Sequence, residues 1–204
     1  VNDLVSRMTT DEKISQLLYD APEIPRLGIP AYNWWNEALH GVARAGYATV
    51  FPQSLTIAAS WDEGLMLQVA DAISDEARAK YHEALRRNEH GIYQGLTFWS
   101  PNINILRDPR WGRGHETYGE DPYLTGRMGL QFVKGMQGSD KKYLKTVSTA
   151  KHFAVHSGPE PLRHNFNAVI SERDLQETYL PAFRTLVTEG GVFSIMGAYN
   201  QLYG

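Results

Sequence analysis

Residues 145–155 read KTVSTAKHFAV, a run of small and β-branched residues in which a lysine and a histidine stand side by side. This composition indicates a strand that runs into a loop. Segments with apolar residues at helical spacing lie on both sides of it, at 122–136 and 171–186. Strands that alternate with helices are typical of βαβ units with a parallel sheet. The sequence therefore predicts an α/β fold.

Sequence signals for the start of a helix occur at four places in the chain. Four capping residues precede apolar residues at helical spacing: Thr9, Ser60, Asp121 and Ser171. We predict capping boxes at Thr9 and Ser60, and a long helix that follows the second box and runs to about Arg86. Pro181 should kink or break the last helix, because proline cannot continue the hydrogen-bond pattern.

Short apolar runs between these helices predict five strands, at 31–35, 57–59, 96–99, 147–150 and 192–196. Polar side chains cluster just after several of these runs. In a (β/α)8 barrel such positions open onto one face, where active sites lie. A complete barrel typically needs about 250 residues. We therefore expect an incomplete TIM-barrel-like domain with the first five to six βα units.

The overall composition excludes several function classes. The net charge is −3 and no run of Lys or Arg exceeds two residues, which argues against nucleic acid or an anionic membrane as a partner. No apolar stretch approaches the ~20 residues that span a bilayer. The chain has no cysteine, which excludes disulfides and thiolate chemistry. Localisation stays open, with a periplasmic or secreted location favoured over the cytoplasm.

Six stretches carry a resemblance to a known family: YNWWNEALHGV (32–42), FPQSLTIAASWD (51–62), GLTFWSPNINILRDPRWGRGHETYGEDPYLTG (95–126), KTVSTAKHF (145–153), RHNFNAVISERDLQETYLPAF (163–183) and VFSIMGAYN (192–200). In this order they resemble glycoside hydrolase family 3, and within it the β-xylosidase branch. The resemblance implies hydrolysis of terminal β-D-xylosyl residues from xylo-oligosaccharides or β-xylosides by a retaining mechanism, without a cofactor or metal.

By the same resemblance, five residues are expected to bind substrate: Glu37, Arg113, Lys151, His152 and Tyr199. Arg113 offers a rigid fork of donors that suits neighbouring sugar hydroxyls. A structural salt bridge from Arg113 to Glu116 or Asp121 is the alternative. We expect Lys151 and His152 to be two donors to the O3 and O4 region of the sugar, although an isolated pair would more often be a surface lysine beside a core histidine.

A second set is expected at the rim of the pocket. Trp34 and Trp35 fit either a pocket wall or the core. Glu160, Arg163 and His164 fit either the rim or loop scaffolding. Arg107 and Arg110 resemble residues that fix the loop in which Arg113 lies.

No residue of this chain matches either catalytic carboxylate of the family. A retaining glycosidase needs two carboxyl groups about 5–5.5 Å apart. The resemblance implies a nucleophilic Asp on the next barrel strand, beyond Gly204, and a Glu acid/base in a second α/β domain. We therefore interpret residues 1–204 as the N-terminal part of the barrel domain, inactive alone, with the remainder of the parent enzyme as its partner.

Three other readings remain open. His152 and His156 are four residues apart, as two metal ligands on a helix would be, but their segment is predicted as a strand. His115-Glu116 begins like a zinc-protease motif, but Gly119 stands where the second histidine belongs. A non-catalytic carbohydrate-binding domain would use the same aromatic residues and arginine. A β-glucosidase is the nearest alternative within the family.

Overall fold

A computed structural model describes all 204 residues. Its helices and strands, in chain order, are α1 (Asn2–Ser6), α2 (Thr10–Ser15), β1 (Asp20–Ala21), β2 (Tyr32–Asn33), α3 (Ser54–Ala58), α4 (Glu63–Arg86), β3 (Thr97–Phe98), α5 (Pro122–Gln137), β4 (Val147–Phe153), β5 (Asn167–Ala168), α6 (Glu172–Asp174), α7 (Pro181–Thr188), β6 (Ser194–Gly197) and β7 (Gln201–Leu202). Single 3₁₀ turns occur at Pro25–Leu27, Gly114–Glu116 and Glu160–Leu162, and a π-helical turn occurs at Leu175–Tyr179. No helix has both the length and the apolar character needed to cross a membrane.

The central element is a parallel sheet with the strand order β3–β4–β6. Thr97 of β3 lies opposite Val147 of β4, and Thr149 of β4 lies opposite Ser194 of β6. The chain passes through α5 between β3 and β4, and through α6 and α7 between β4 and β6. This alternation confirms the predicted α/β class with a parallel sheet.

Helix α5 packs between α4 and the sheet. Its predicted apolar stripe is buried, with Met128, Phe132 and Met136 in one cluster with Ile73 of α4 and Leu186 of α7. The two long helices approach closely at a glycine. A Cβ at Gly135 would lie 2.6 Å from the Cβ of Ala70 and 2.8 Å from backbone atoms of α4. This close packing holds α4 against α5.

Three of the predicted helix starts are confirmed, and one is wrong. Thr9 forms the capping box with Glu12, and Asp121 and Ser171 cap α5 and α6. The box predicted at Ser60 is absent, because the Ser60 hydroxyl donates to the carbonyl of Ile57 at 2.6 Å and so belongs to the end of α3. Asp62 caps α4 instead, accepting from Leu65 N at 2.9 Å.

The helix ends agree with the sequence. Helix α4 ends at Arg86 as predicted, and α7 begins at Pro181 after the π-helical turn. The break at this proline is therefore confirmed.

The strand predicted at 57–59 is wrong. Ile57 and Ala58 lie in α3, and the N–H of Ile57 donates to the carbonyl of Gln53 at 3.0 Å. Both residues are buried. A short apolar run can be buried as a strand or as a helix, and periodicity does not separate the two.

The strand predicted at 31–35 is shorter and differently paired. Only Tyr32–Asn33 is extended, and it pairs antiparallel with β1. The Asn33 side chain then accepts from Trp35 N at 2.9 Å, a local bond that competes with strand pairing. The chain still reaches the main sheet, since the N–H of Trp99 donates to the carbonyl of Asn36 at 2.9 Å.

The parallel sheet consequently has fewer strands than the five to six βα units that the sequence predicts. It contains three strands, and the small parallel pair β5–β7 forms a separate sheet. The segments at 31–35 and 57–59 do not add strands to this parallel sheet, for the reasons given above. The bond to Asn36 nonetheless brings residue 37 to the edge of the sheet where the loops after β3 and β4 also lie.

Candidate functional site

Three segments deliver polar side chains to this edge. Glu37 follows Asn36, which is bonded to the residue after β3. Arg113 begins the 3₁₀ turn Gly114–Glu116 in the long loop between β3 and α5. Lys151 and His152 lie near the end of β4. The loop is fastened to β4, because the N–H of Ile103 donates to the carbonyl of Lys151 at 3.0 Å.

Two arginines hold the outer part of this loop, as the sequence suggested. Arg107 donates to the hydroxyl of Tyr179 at 2.8 Å and to the carbonyl of Ser157 at 3.3 Å. Arg110 pairs with Asp108 at 2.6 Å. These bonds lie within the loop and its neighbours, so they fix its path.

Lys151 and Glu37 form a buried ion pair. The Lys151 ammonium lies 3.3 and 3.4 Å from the two Glu37 carboxylate oxygens, and the lysine side chain is 2% exposed. Burial lowers the pKa of Lys151 and raises the pKa of Glu37, and the attraction between the two charges opposes both shifts. The pair therefore holds a desolvated ammonium against a partly desolvated carboxylate.

Arg113 and Glu116 form a second ion pair beside the first. Arg113 Nε and Nη2 donate to the two carboxylate oxygens of Glu116 at 2.7 and 2.6 Å. Asn102 Nδ2 also donates to Glu116, at 3.3 Å. Burial by itself would raise the pKa of Glu116, but the bonds and charge of Arg113 outweigh it and lower that pKa. The salt bridge proposed as an alternative role for Arg113 is thus present, with Glu116 rather than Asp121.

His152 adjoins the same guanidinium. Arg113 Nη1 lies 3.3 Å from His152 Nε2, and His152 Nδ1 lies 3.0 Å from the amide oxygen of Asn104. The ring of His156 lies against it at a tilt of 47°, with the ring centroids 4.4 Å apart. Burial, followed by the charges of Lys151 and Arg113, strongly lowers the pKa of His152. The imidazole is therefore neutral.

A cavity of about 360 Å³ opens beside these residues. Its lining includes Trp35, Glu37, His40, Arg113 and Glu116. Trp35 packs on Trp99 with ring centroids 4.8 Å apart, so it serves as both pocket wall and packing residue. Trp34 is not part of this lining; it is 42% exposed and contacts Tyr32 edge-on.

Tyr199 does not join the other four predicted binding residues. Its ring lies 4.7 Å from that of His164 and 5.7 Å from the guanidinium of Arg163, and Arg163 pairs with Glu160 at 3.5 Å. We call Glu160, Arg163, His164 and Tyr199 the second polar group. The tyrosine follows β6 and is 64% exposed.

The second polar group is joined to the first site through His156. His156 lies against His152, and its Nδ1 is 3.3 Å from the amide oxygen of Asn200, the residue after Tyr199. His156, Glu160, Arg163 and Asn200 share a small cleft. Glu160, Arg163 and His164, which are expected at the rim, therefore lie together, and the first two lie next to His156.

Sequence reasoning missed the groups that orient the site. Asn102 and Asn104 follow a predicted strand and received no individual role from the sequence, yet one bonds Glu116 and the other bonds His152. Glu116 was considered only as an alternative partner of Arg113. The signal was the pair of asparagines directly after an apolar run, since buried asparagine at such a point needs partners for every polar atom.

Comparison with known proteins identifies the family of this chain. The family model described as "Glycosyl hydrolase family 3 N terminal domain" matches residues 3–204. A xylan 1,4-beta-xylosidase from Xylanibacter ruminicola is 51% identical over 204 residues, which cover 98% of this chain and 24% of that protein.

Solved structures give the same result. A GH3 exo-beta-xylosidase, XlnD, in complex with a xylobiose aziridine activity-based probe superposes with a TM-score of 0.89 at 34% identity, covering 98% of this chain and 27% of that one. A beta-glucosidase from Kluyveromyces marxianus in complex with glucose gives 0.84 at 31% identity, covering 100% and 23%.

The chain thus spans about a quarter of the length of the relatives that it matches. The match to the family model extends over nearly every residue, and it includes all the segments that build the two ion pairs. This chain belongs to glycosyl hydrolase family 3, within the N-terminal domain of that family.

Proposed function

We propose that this chain supplies the sugar-binding side of the active site of a retaining β-xylosidase. The observation that carries the proposal is one cavity with an aromatic wall, lined by the Arg113–Glu116 pair and by Glu37, whose carboxylate pairs with the buried Lys151. Such a site offers charged donors, a charged acceptor and an apolar face within one small space. Pyranose rings require this combination, because their hydroxyls donate and accept while their C–H faces pack on aromatic rings.

The role of each residue follows from the hydrogen-bond donors and acceptors that it carries. Lys151 and Arg113 would donate to sugar hydroxyls, and Glu37 would accept from one. Each hydrogen bond to a charged group is worth about 1.5–3 kcal/mol. Tyr199 and the rest of the second polar group would border the site, on the side that His156 links to it.

Neither carboxylate of the site is suited to be the nucleophile or the acid/base. Glu116 is held at both oxygens by Arg113, and Glu37 faces Lys151 with both of its oxygens. We infer that both catalytic carboxylates come from other parts of a longer protein. The three-stranded sheet would then be the first portion of a (β/α)8 barrel that the remainder of the enzyme completes, and xylo-oligosaccharides or β-xylosides would be the substrates.

The test is hydrolysis of an aryl β-D-xyloside by the full-length protein. Proton NMR should show β-xylose as the first-formed product, because a retaining enzyme proceeds through a covalent glycosyl-enzyme intermediate. The 204-residue chain, purified free of host glycosidases, should give no turnover. Release of α-xylose first, or turnover by the short chain, would overturn this assignment of the chemistry.

A β-glucosidase is the second candidate, because the glucose complex cited above superposes nearly as well as the xylosidase. The greater sequence identity to a xylosidase favours the first. The ratio of kcat/KM on matched aryl xyloside and glucoside decides between the two. A value in favour of the glucoside would establish the alternative.

A further inference from the structure

The side-chain amide of Asn104 makes four hydrogen bonds, and they fix which way it faces. Its oxygen accepts from the backbone N–H of His152 at 2.9 Å and lies 3.0 Å from His152 Nδ1. Its nitrogen donates to the carbonyls of His152 at 2.9 Å and Ala154 at 3.1 Å. A backbone N–H can only donate and a carbonyl can only accept, so a flipped amide would lose three of these bonds.

This orientation determines the protonation of the His152 ring. The ring nitrogen that faces an amide oxygen must carry the hydrogen, so Nδ1 is the N–H. In a neutral imidazole the other nitrogen then holds a lone pair. Nε2 faces Arg113 Nη1 at 3.3 Å, and guanidinium nitrogens can only donate. Both sides of the ring therefore specify the same tautomer.

The surroundings of the ring oppose a second proton. The charged or titratable groups that face His152 are Lys151, Arg113, His156 and Arg163. The carboxylates of Glu37 and Glu116 are already bonded to Lys151 and Arg113. His152 is 4% exposed, so water stabilises an imidazolium poorly there. In agreement, the pKa of His152 is strongly lowered by burial and then by these cations.

We propose that Asn104 is a positioning residue that holds His152 in its Nδ1–H tautomer, so that His152 meets the substrate as a hydrogen-bond acceptor. This differs from the sequence-based expectation that Lys151 and His152 are both donors. The proposal rests on the proposed function for the identity of the ligand, a sugar hydroxyl. The tautomer itself is a property of the free protein.

An acceptor at this point complements the two cations. Lys151 and Arg113 offer only donors, whereas a sugar hydroxyl both donates and accepts. A hydroxyl that accepts from either cation can direct its own hydrogen to His152 Nε2, in place of the long bond from Arg113 Nη1. A group that only accepts, such as fluorine or an ether oxygen, would leave Nε2 without a partner. The site would therefore select a free hydroxyl.

The direct test uses the full-length protein without substrate. Histidine labelled with ¹⁵N in the ring gives distinct shifts for protonated and unprotonated nitrogens, and His152→Gln identifies the signals of residue 152. We expect Nδ1 to be protonated and Nε2 to be unprotonated across the pH range in which the protein is folded. A proton on Nε2 at neutral pH would overturn the proposal, whether or not the protein hydrolyses xylosides.

A functional test uses Asn104→Asp and the pH profile of kcat/KM on an aryl β-xyloside. A carboxylate facing Nδ1 should raise the pKa of His152, and the second proton would occupy Nε2. The acid limb of kcat/KM should then move up by about one pH unit or more, an about tenfold loss at acid pH that is regained on raising the pH. An acid limb that stays in place in the folded variant, while its ring-nitrogen spectrum shows a second proton on His152 in the same pH range, would show that His152 does not act as an acceptor.

The double variant Asn104→Asp with His152→Gln is the control. Glutamine does not titrate, so the shift of the acid limb should be absent when it is compared with His152→Gln alone. A shift that persists would assign the titration to another group and remove Asn104 as the positioning residue. If Asn104→Asp does not fold, the ring-nitrogen spectrum of the unaltered protein still decides the proposal. Absence of any xyloside hydrolysis would instead refute the proposed function.

Discussion

Arg113 and Glu116 face each other through two parallel hydrogen bonds of 2.7 and 2.6 Å, which use Nε and Nη2 and leave Nη1 directed to His152. Bidentate pairs of this kind fix direction as well as distance. Glu116 therefore determines which donor of Arg113 stays outside the pair, and in the proposed function this donor would reach the sugar. The salt bridge to Glu116, which the sequence offered as an alternative to sugar binding by Arg113, therefore orients the Arg113 side chain.

We expect Glu116→Gln to lower kcat/KM on an aryl β-xyloside by about tenfold, because an amide accepts only one of the two bonds and the guanidinium can rotate. The comparison is kcat/KM per folded molecule of the full-length protein. Glu120→Gln is the matched control, since Glu120 is exposed and lies in the same loop. Equal effects of the two substitutions would contradict a specific role for Glu116.

Arg113→Lys should also reduce kcat/KM by at least about tenfold, although the charge is kept. A single ammonium cannot satisfy both oxygens of Glu116 and also reach the sugar. Arg110→Lys provides the control, because Arg110 pairs with Asp108 on the exposed part of the loop. Loss of thermal stability with unchanged kcat/KM would show that Arg113 is structural only.

The acid stability of the protein should depend on Glu116. Its folded-state pKa is lowered, so its contribution to stability is present above the usual glutamate range and is lost as the pH falls through the folded pKa. Glu116→Gln should therefore lower Tm at neutral pH, and the difference from the unaltered protein should shrink on acidification. A difference that grows toward acid pH would show that the sign of this linkage is wrong.

Glu37→Asp should shift specificity from xyloside toward glucoside. Glucose carries a hydroxymethyl group where xylose has only hydrogens, and the longer Glu37 side chain would occupy that space while it pairs with Lys151. The measurement is the ratio of kcat/KM on matched aryl glycosides. Glu37→Gln keeps the length of the side chain, so it should lower both values without moving the ratio toward glucoside. An unchanged ratio in Glu37→Asp would exclude Glu37 as the determinant.

Gly135→Ala should lower Tm although alanine favours helices over glycine by about 1 kcal/mol. The added Cβ would lie 2.8 Å from backbone atoms of α4, which forces the helices apart, and overpacking of this kind costs about 1–3 kcal/mol. Gly126→Ala in the same helix is the control, since its Cβ would meet neighbours at 3.3 Å or more. A Tm that rises in both variants would contradict the close packing of α4 on α5.

Much of the local structure could be predicted, because it depends on neighbouring residues. The capping box at Thr9, the caps at Asp121 and Ser171 and the break at Pro181 all follow from interactions within one turn. The errors have two physical origins. Ile57 and Ala58 became part of a helix, because the burial of a short apolar run does not specify its backbone. The N-cap of α4 is Asp62 rather than Ser60, because the Ser60 hydroxyl bonds the carbonyl of Ile57 instead.

The sequence alone determined the α/β class, the family and the positions of the chemically important residues, since each is recorded in local periodicity or in contiguous motifs. Only the tertiary structure decided how those residues act. Glu37 and Lys151 lie 114 positions apart, and Asn104 and His152 lie 48 apart, so their bonds exist only once the loops meet at one edge of the sheet. Burial at that edge then shifts their pKa values, because proton affinity depends on water and neighbouring charges, which sequence order does not specify. The bonds of Asn104, which we propose select the His152 tautomer, likewise exist only in the folded chain.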